Sequence, residues 1–120
     1  MKYSDIKVGN TFAYKTHTEL LRNVFDYDKN CYLSSHFNCK GYSIWIVNID
    51  KKGINGFHNR IEQGQLVEEK QSSGKWRLHP EKMLVFSYRK NDLQRIYKYE
   101  GIFQLSETFD KQRIYKKILR

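Results

Sequence analysis

Leu20, Leu21, Val24 and Phe25 are spaced so that all four fall on one face of a helix. Just upstream, Thr16-His17-Thr18-Glu19 has the pattern of a capping box, in which the threonine hydroxyl accepts from the Glu19 amide and the Glu19 side chain reaches back. Together they predict one short helix over about residues 17–25, ending at Asp26-Tyr27-Asp28. Beyond it the period changes. Ser43-Ile44-Trp45-Ile46-Val47-Asn48-Ile49 is β-branched and aromatic, bounded by Gly41 and by Lys51-Lys52-Gly53, and predicts a buried strand.

Gln65 to Gln71 lies between Gly64 and Ser72-Ser73-Gly74, and Met83 to Arg89 is a further strong strand with a turn at Asn91-Asp92. Ile96 to Glu100 runs into Gly101, and Ile102 to Leu105 continues the apolar signal. A glycine in mid-strand marks a bulge or a sharp bend. Ile114 to Leu119 completes the set. One helix with five or six strands predicts an α+β domain whose sheet curls into a small barrel.

A chain of 120 residues without a Pro- or Gly-rich linker, repeat or low-complexity tract predicts a single domain over 1–120. With 39% hydrophobic residues, nine Tyr, seven Phe and two Trp, it has material for a ring-rich core, which excludes a disordered chain. No apolar run approaches the roughly 18 residues of a membrane helix. The start Met1-Lys2-Tyr3-Ser4-Asp5 has no apolar export segment, so a soluble cytoplasmic protein is expected. Cys31 and Cys39 are too few to staple a secreted mini-domain and are expected to be thiols.

Charge adds the first functional expectation. Twenty-two Lys/Arg against 13 Asp/Glu give a net charge of +9, which points to phosphate backbones before small molecules. From Lys70 to Lys98 the cations Lys70, Lys75, Arg77, Lys82, Arg89, Lys90, Arg95 and Lys98 face only Glu81 and Asp92, and the last ten residues contain no acid. Rings alternate with these cations in Tyr88-Arg89-Lys90 and Arg95-Ile96-Tyr97-Lys98-Tyr99, a pattern that suits nucleic acid. Lys70, Lys75, Arg77, Arg89, Lys90, Arg95 and Lys98 are therefore the candidate phosphate-binding residues. Trp76, between Lys75 and Arg77 and outside any apolar pattern, reads as a ring presented to a ligand.

The order Asp5-Ile6-Lys7-Val8-Gly9-Asn10-Thr11-Phe12, capped helix, Trp45 strand, Phe57-His58-Asn59-Arg60, the Glu68 to Gln71 strand, Leu84 to Lys90, and Tyr97-Lys98-Tyr99-Glu100-Gly101-Ile102-Phe103 spans nearly the whole chain. In this order it resembles the small PUA-like or SRA-like barrel domains attached to HNH nucleases and helicases in bacterial modification-dependent restriction systems. The resemblance implies a reader of double-stranded DNA that recognises modified cytosine, turns the target nucleotide into a barrel pocket, and works beside a nuclease or helicase module. No cofactor, metal or catalysis is expected in this chain alone. Extruding a base costs a few kcal/mol, which stacking at roughly 1–3 kcal/mol per base offsets. Trp45, Trp76, Tyr88, Tyr97 and Tyr99 are the candidate rings, Trp45 being as well suited to a core. On this resemblance, His58, Asn59, Arg60, Glu68 and Gln71 would read the base edge with paired donors and acceptors.

Two enzymatic readings stand beside this one. Glu68-Glu69-Lys70 matches the (D/E)-x-K element of Mg²⁺-dependent nucleases, with Asp50 as the upstream carboxylate and Lys70 orienting water. That core requires a helix after its hairpin, whereas residues 72–120 read as strands. Cys31, His36 and Cys39 are close enough in sequence for a zinc site, but the fourth ligand must come from His17 or His58, and buried thiols are the simpler expectation. A basic interaction protein that engages RNA or a restriction complex remains the non-enzymatic alternative.

Overall fold

The computed structural model describes residues 2–27, 36–39, 41–49, 57–73, 75–76, 80–90 and 94–119. A 3₁₀ turn at Tyr3–Asp5 precedes β1 (Thr11–Tyr14), α1 (His17–Phe25), β2 (His36–Cys39), β3 (Tyr42–Asn48), β4 (Phe57–Glu62), β5 (Gln65–Lys70), β6 (Lys82–Lys90), β7 (Arg95–Thr108) and β8 (Gln112–Leu119). The expected barrel of five or six strands is not what forms. The eight strands make one open mixed sheet in the order β2-β3-β6-β7-β8-β5-β4, with β1 pairing to β7. The additional strands are β1, β2 and β4, of four, four and six residues, too short or too polar to carry a strand pattern of their own and specified by pairing to their neighbours.

α1 begins as the capping pattern implies, with Thr16 Oγ1 accepting from the Glu19 amide at 3.1 Å. The Glu19 carboxylate reaches back one residue further than a capping box, to the Lys15 amide at 2.9 Å. The β4–β5 hairpin turns through Gln63 and Gly64, both at positive φ, 47° and 77°, the conformation of a two-residue turn matched to strand twist. β3 pairs with β6 in parallel, so this hairpin lies within their crossover, and β5 joins the sheet on the far side against β8. Asn91-Asp92, expected as a turn, lies outside the described residues.

β7 is one strand of 14 residues, not two. Its partner changes along its length: Arg95–Lys98 pair with β1, and Ile102–Thr108 pair with β8. Tyr99 faces Phe86 and Gly101 faces Val85, so Glu100 is an extra residue, a bulge of the kind the mid-strand glycine implies. The bulge reverses which face the odd-numbered residues occupy. Tyr97 and Tyr99 enter the core under α1, with Leu20, Leu21, Val24, Phe25, Ile44, Ile46, Leu84, Phe86 and Tyr88. Phe103 enters a second core on the opposite face with Trp45, Val47, Leu66, Met83, Val85 and Tyr115. The sheet curls far enough that Trp45 of β3 meets Tyr115 of β8, ring centres 5.1 Å apart, although two strands lie between them. No helix among the described residues is long and apolar enough to cross a membrane.

His17, at the first position of α1, bonds through Nδ1 to the Tyr97 hydroxyl at 2.8 Å and packs edge-on against Tyr88. Burial, with Arg95 nearby, lowers its pKa from 6.5 to about 4. Between those values the unfolded chain binds a proton that the folded chain does not, so stability falls as pH drops through that window. Melting of wild type and His17→Gln from pH 7 downward is expected to show a smaller acid-side loss in the variant, and identical curves would contradict it.

Candidate nucleic-acid interface

The sequence alternation of rings and cations has a structural explanation. Tyr88, Tyr97 and Tyr99 point into the core and are at most 9% exposed, while Arg89, Ile96 and Lys98 between them point outward. The alternation is the two-residue period of β6 and β7, with apolar ring faces packed together and cations in water. These tyrosines therefore present no face for a base. Arg95 is half-buried and lies 5.7 Å from the Tyr88 ring centre, whereas Arg89 and Lys98 are exposed at this end of the sheet. The side chain of Lys90 and all of Arg77 lie outside the described residues.

Rings and cations do meet at the other end, around β4, β5 and β8. Leu66, Glu68 and Lys70 share one face of β5. Cross-strand register sets three rows on that face: Ile61, Leu66 and Tyr115; then Asn59, Glu68 and Arg113; then Phe57 and Lys70. The first row belongs to the second core. The next is polar yet shielded from water, with Glu68 and Arg113 both 6% exposed. Over the outer rows lies Trp76. Its ring centre is 4.3 Å from Lys70 Nζ, 4.8 Å from Arg113 Cζ and 6.4 Å from the Phe57 ring centre.

Two hydrogen bonds fix the Trp76 segment to the β7–β8 turn. Trp76 Nε1 donates to the Phe109 carbonyl at 2.7 Å, and Ser73 Oγ donates to Asp110 Oδ2 at 2.8 Å. A backbone bond from the Lys70 amide to the Lys111 carbonyl, 2.9 Å, closes the same corner. Phe57 and Phe109 remain 37% and 50% exposed, and Lys75 and Lys111, next in sequence to Trp76 and Asp110, are exposed residues.

The buried row explains how a cation is held under an indole. Tyr115 donates to Glu68 Oε1 at 3.2 Å and accepts from Arg113 Nη1 at 3.4 Å. Burial raises the Glu68 pKa, against the Tyr115 hydrogen bond and the charges of Arg113 and Lys70, which lower it. Burial also pushes the Tyr115 hydroxyl to about 12, so it keeps its proton and stays a donor. Asn59 Oδ1 and Arg113 Nε are buried with no hydrogen-bond partner among the described residues, leaving one acceptor and one donor open to water or a ligand atom.

Of the expected base-reading residues, Asn59, Glu68 and Trp76 come together here, and Trp45 supports them from the core through Tyr115. His58 and Arg60 occupy the opposite face of β4, where Arg60 pairs with Glu62 and Glu69. Gln71 is exposed past the end of β5, and Tyr88 belongs to the core beneath α1. Lys70 joins the corner through Trp76, and Lys75 lies exposed next to it in sequence. Arg113, Tyr115, Phe57 and Phe109 were not among the expected site residues. The signal for Arg113 and Tyr115 is their i, i+2 spacing on β8, but only the β5–β8 register places them beside Glu68 and Leu66.

Glu68 and Lys70 share a face as the nuclease reading requires, but Arg113 occupies the strand position beside Glu68 where that reading needs a metal. Asp50 and Cys31 lie outside the described residues. Cys39 Sγ donates to the Phe25 carbonyl at 3.6 Å inside the first core, while His36 stacks on Trp45, so these two zinc candidates diverge. No family model matches the chain, and no curated protein matches it.

Proposed function

We propose that this protein is a nucleic-acid-binding module, a DNA reader in the cytoplasm, whose contact surface is the Trp76 corner. The observation that carries this reading is the indole of Trp76 set against the Lys70 and Arg113 cations, with the half-exposed ring of Phe57 6.4 Å from it and the half-exposed residue Phe109 joined to it through its carbonyl. Cations that track phosphates beside rings that stack on bases are the two components of sequence-tolerant strand binding. The +9 charge raises the encounter rate with any polyanion, and the corner supplies the place where bases are engaged. Glu68, Tyr115 and Arg113 act as positioning residues that keep the guanidinium beneath the indole. Recognition of a modified cytosine, and service to a nuclease or helicase module, are the finer parts of the proposal and are supported by the resemblance in motif order.

Binding to an oligonucleotide at a series of salt concentrations tests the proposal. With Lys70, Lys75 and Lys111 on phosphates, log K is expected to fall linearly with log salt at a slope of about −2 to −3. A flat response would overturn the nucleic-acid assignment. Including duplexes that differ only in cytosine, 5-methylcytosine or 5-hydroxymethylcytosine tests the finer part, which equal affinities would reject.

A further inference from the structure

We infer that the corner takes single-stranded nucleic acid in preference to an intact duplex, with successive bases laid across Phe57, Trp76 and Phe109. This rests on the nucleic-acid reading above and names the form of its ligand. A ring on a protein surface can stack only on a base whose face is free, and in a duplex both faces of an internal base are covered by its neighbours. Here Phe57 and Trp76 lie on the face of the second core but beyond its apolar row, and Phe57 is 37% exposed. Phe57 stands at the start of β4 with its ring centre 6.4 Å from that of Trp76, which follows β5, and the β7–β8 turn brings the half-exposed residue Phe109 to the same corner through its carbonyl. The Trp76 N–H is already committed to the Phe109 carbonyl, so the indole has only its ring surface to give a ligand.

The charge around the rings is suited to the same ligand. Lys75 and Lys111 are exposed, and Lys70 is half-exposed with its ammonium group at the indole. Two carboxylates belong to the corner: Glu68, buried beside Arg113, and Asp110, exposed, which accepts from Ser73. A strand passing over the rings would thus have its phosphates beside lysines and its bases against aromatic faces. Among the described residues, the tyrosines interleaved with Arg89 and Lys98 at the opposite end of the sheet, Tyr88, Tyr97 and Tyr99, are packed inside, and Phe12 and Tyr14 of β1 are packed against the same core. That end can contribute attraction to phosphate but no stacking.

The test measures affinity for a single-stranded 12-mer of DNA, the same sequence as RNA, and the blunt DNA duplex, using wild type, Phe109→Ala and Phe57→Ala. Wild type is expected to bind the single strands at least about tenfold more tightly than the duplex. Phe109→Ala is expected to lose about five- to 150-fold on single strands and less than about twofold on the duplex. Phe109 is half exposed, so its removal leaves both cores intact, and Phe57→Ala gives a second reading of the same surface. Equal affinity for single strand and duplex in wild type would overturn the inference and leave the nucleic-acid reading standing. Unchanged single-strand affinity in both variants would also overturn it. Absence of salt-dependent binding to all three ligands would overturn both.

Discussion

Arg113→Ala is expected to lower the unfolding free energy by about 3–5 kcal/mol, the usual cost of removing one member of a buried charged group. Arg113 is 6% exposed, its guanidinium donates to Tyr115, and Tyr115 in turn donates to Glu68. Without it, Glu68 is left buried with no cation at its paired position on β8 and only Lys70 of its own strand to offset its charge, and the indole above loses its guanidinium. The fold must then bury an uncompensated carboxylate or hold a proton on it. Either costs free energy, and the second makes the loss grow with pH above the ordinary carboxylate range.

Chemical denaturation of wild type and variant measures this directly, and a loss under about 1 kcal/mol would show that the row is solvated and not a buried foundation. The double variant Glu68→Leu, Arg113→Met is expected to recover most of the stability, because apolar side chains of similar size avoid the desolvation that the polar row suffers. Recovery of stability without recovery of binding would separate the two roles of Arg113, support of the sheet and support of Trp76.

How much of this was legible in the sequence differs by element. α1 was readable because its cap, its apolar face and its end are all local: Thr16, Glu19, then Leu20, Leu21, Val24 and Phe25. β3, β5, β6 and β8 were readable as runs of apolar and β-branched residues. β1, β2 and β4 were not, since Thr11–Tyr14, His36–Cys39 and Phe57–Glu62 owe their extended form to the partner strand.

The site was half legible for the same reason. Trp76 stood out against its Lys75 and Arg77 neighbours, and Asn59 and Glu68 fitted the chemistry of edge recognition. Arg113 reads in sequence as one more cation in a basic tail, and nothing local marks it as buried. Only the pairing of β8 with β5 puts it next to Glu68. The tyrosine-rich segment from Tyr88 to Tyr99 misled in the opposite direction, because a strand's inside and outside residues alternate in sequence just as a mixed binding surface would.

Trp76→Ala carries the second large expectation, a five- to 150-fold loss of single-strand affinity, or about 1–3 kcal/mol. The ring has three kinds of support: two cations, Phe57, and its N–H bond to Phe109. Its removal takes away the central ring of the proposed stacking surface and leaves Lys70 and Arg113 without the indole they pack against. Trp76→Phe keeps an aromatic face and is expected to retain most of the affinity. Lys116→Ala removes an exposed cation on the opposite face of β8 from Arg113 and Tyr115, and is expected to cost less than about 0.5 kcal/mol.

The titration that tests the Trp76 corner most directly follows wild type, Trp76→Ala and Lys116→Ala with one fluorescent single-stranded oligonucleotide at a single salt concentration. The corner as the binding surface requires Trp76→Ala to bind at least about fivefold more weakly than wild type while Lys116→Ala stays within about twofold. Equal affinity of Trp76→Ala and wild type, or a larger loss in Lys116→Ala, would place the contact surface elsewhere on the sheet.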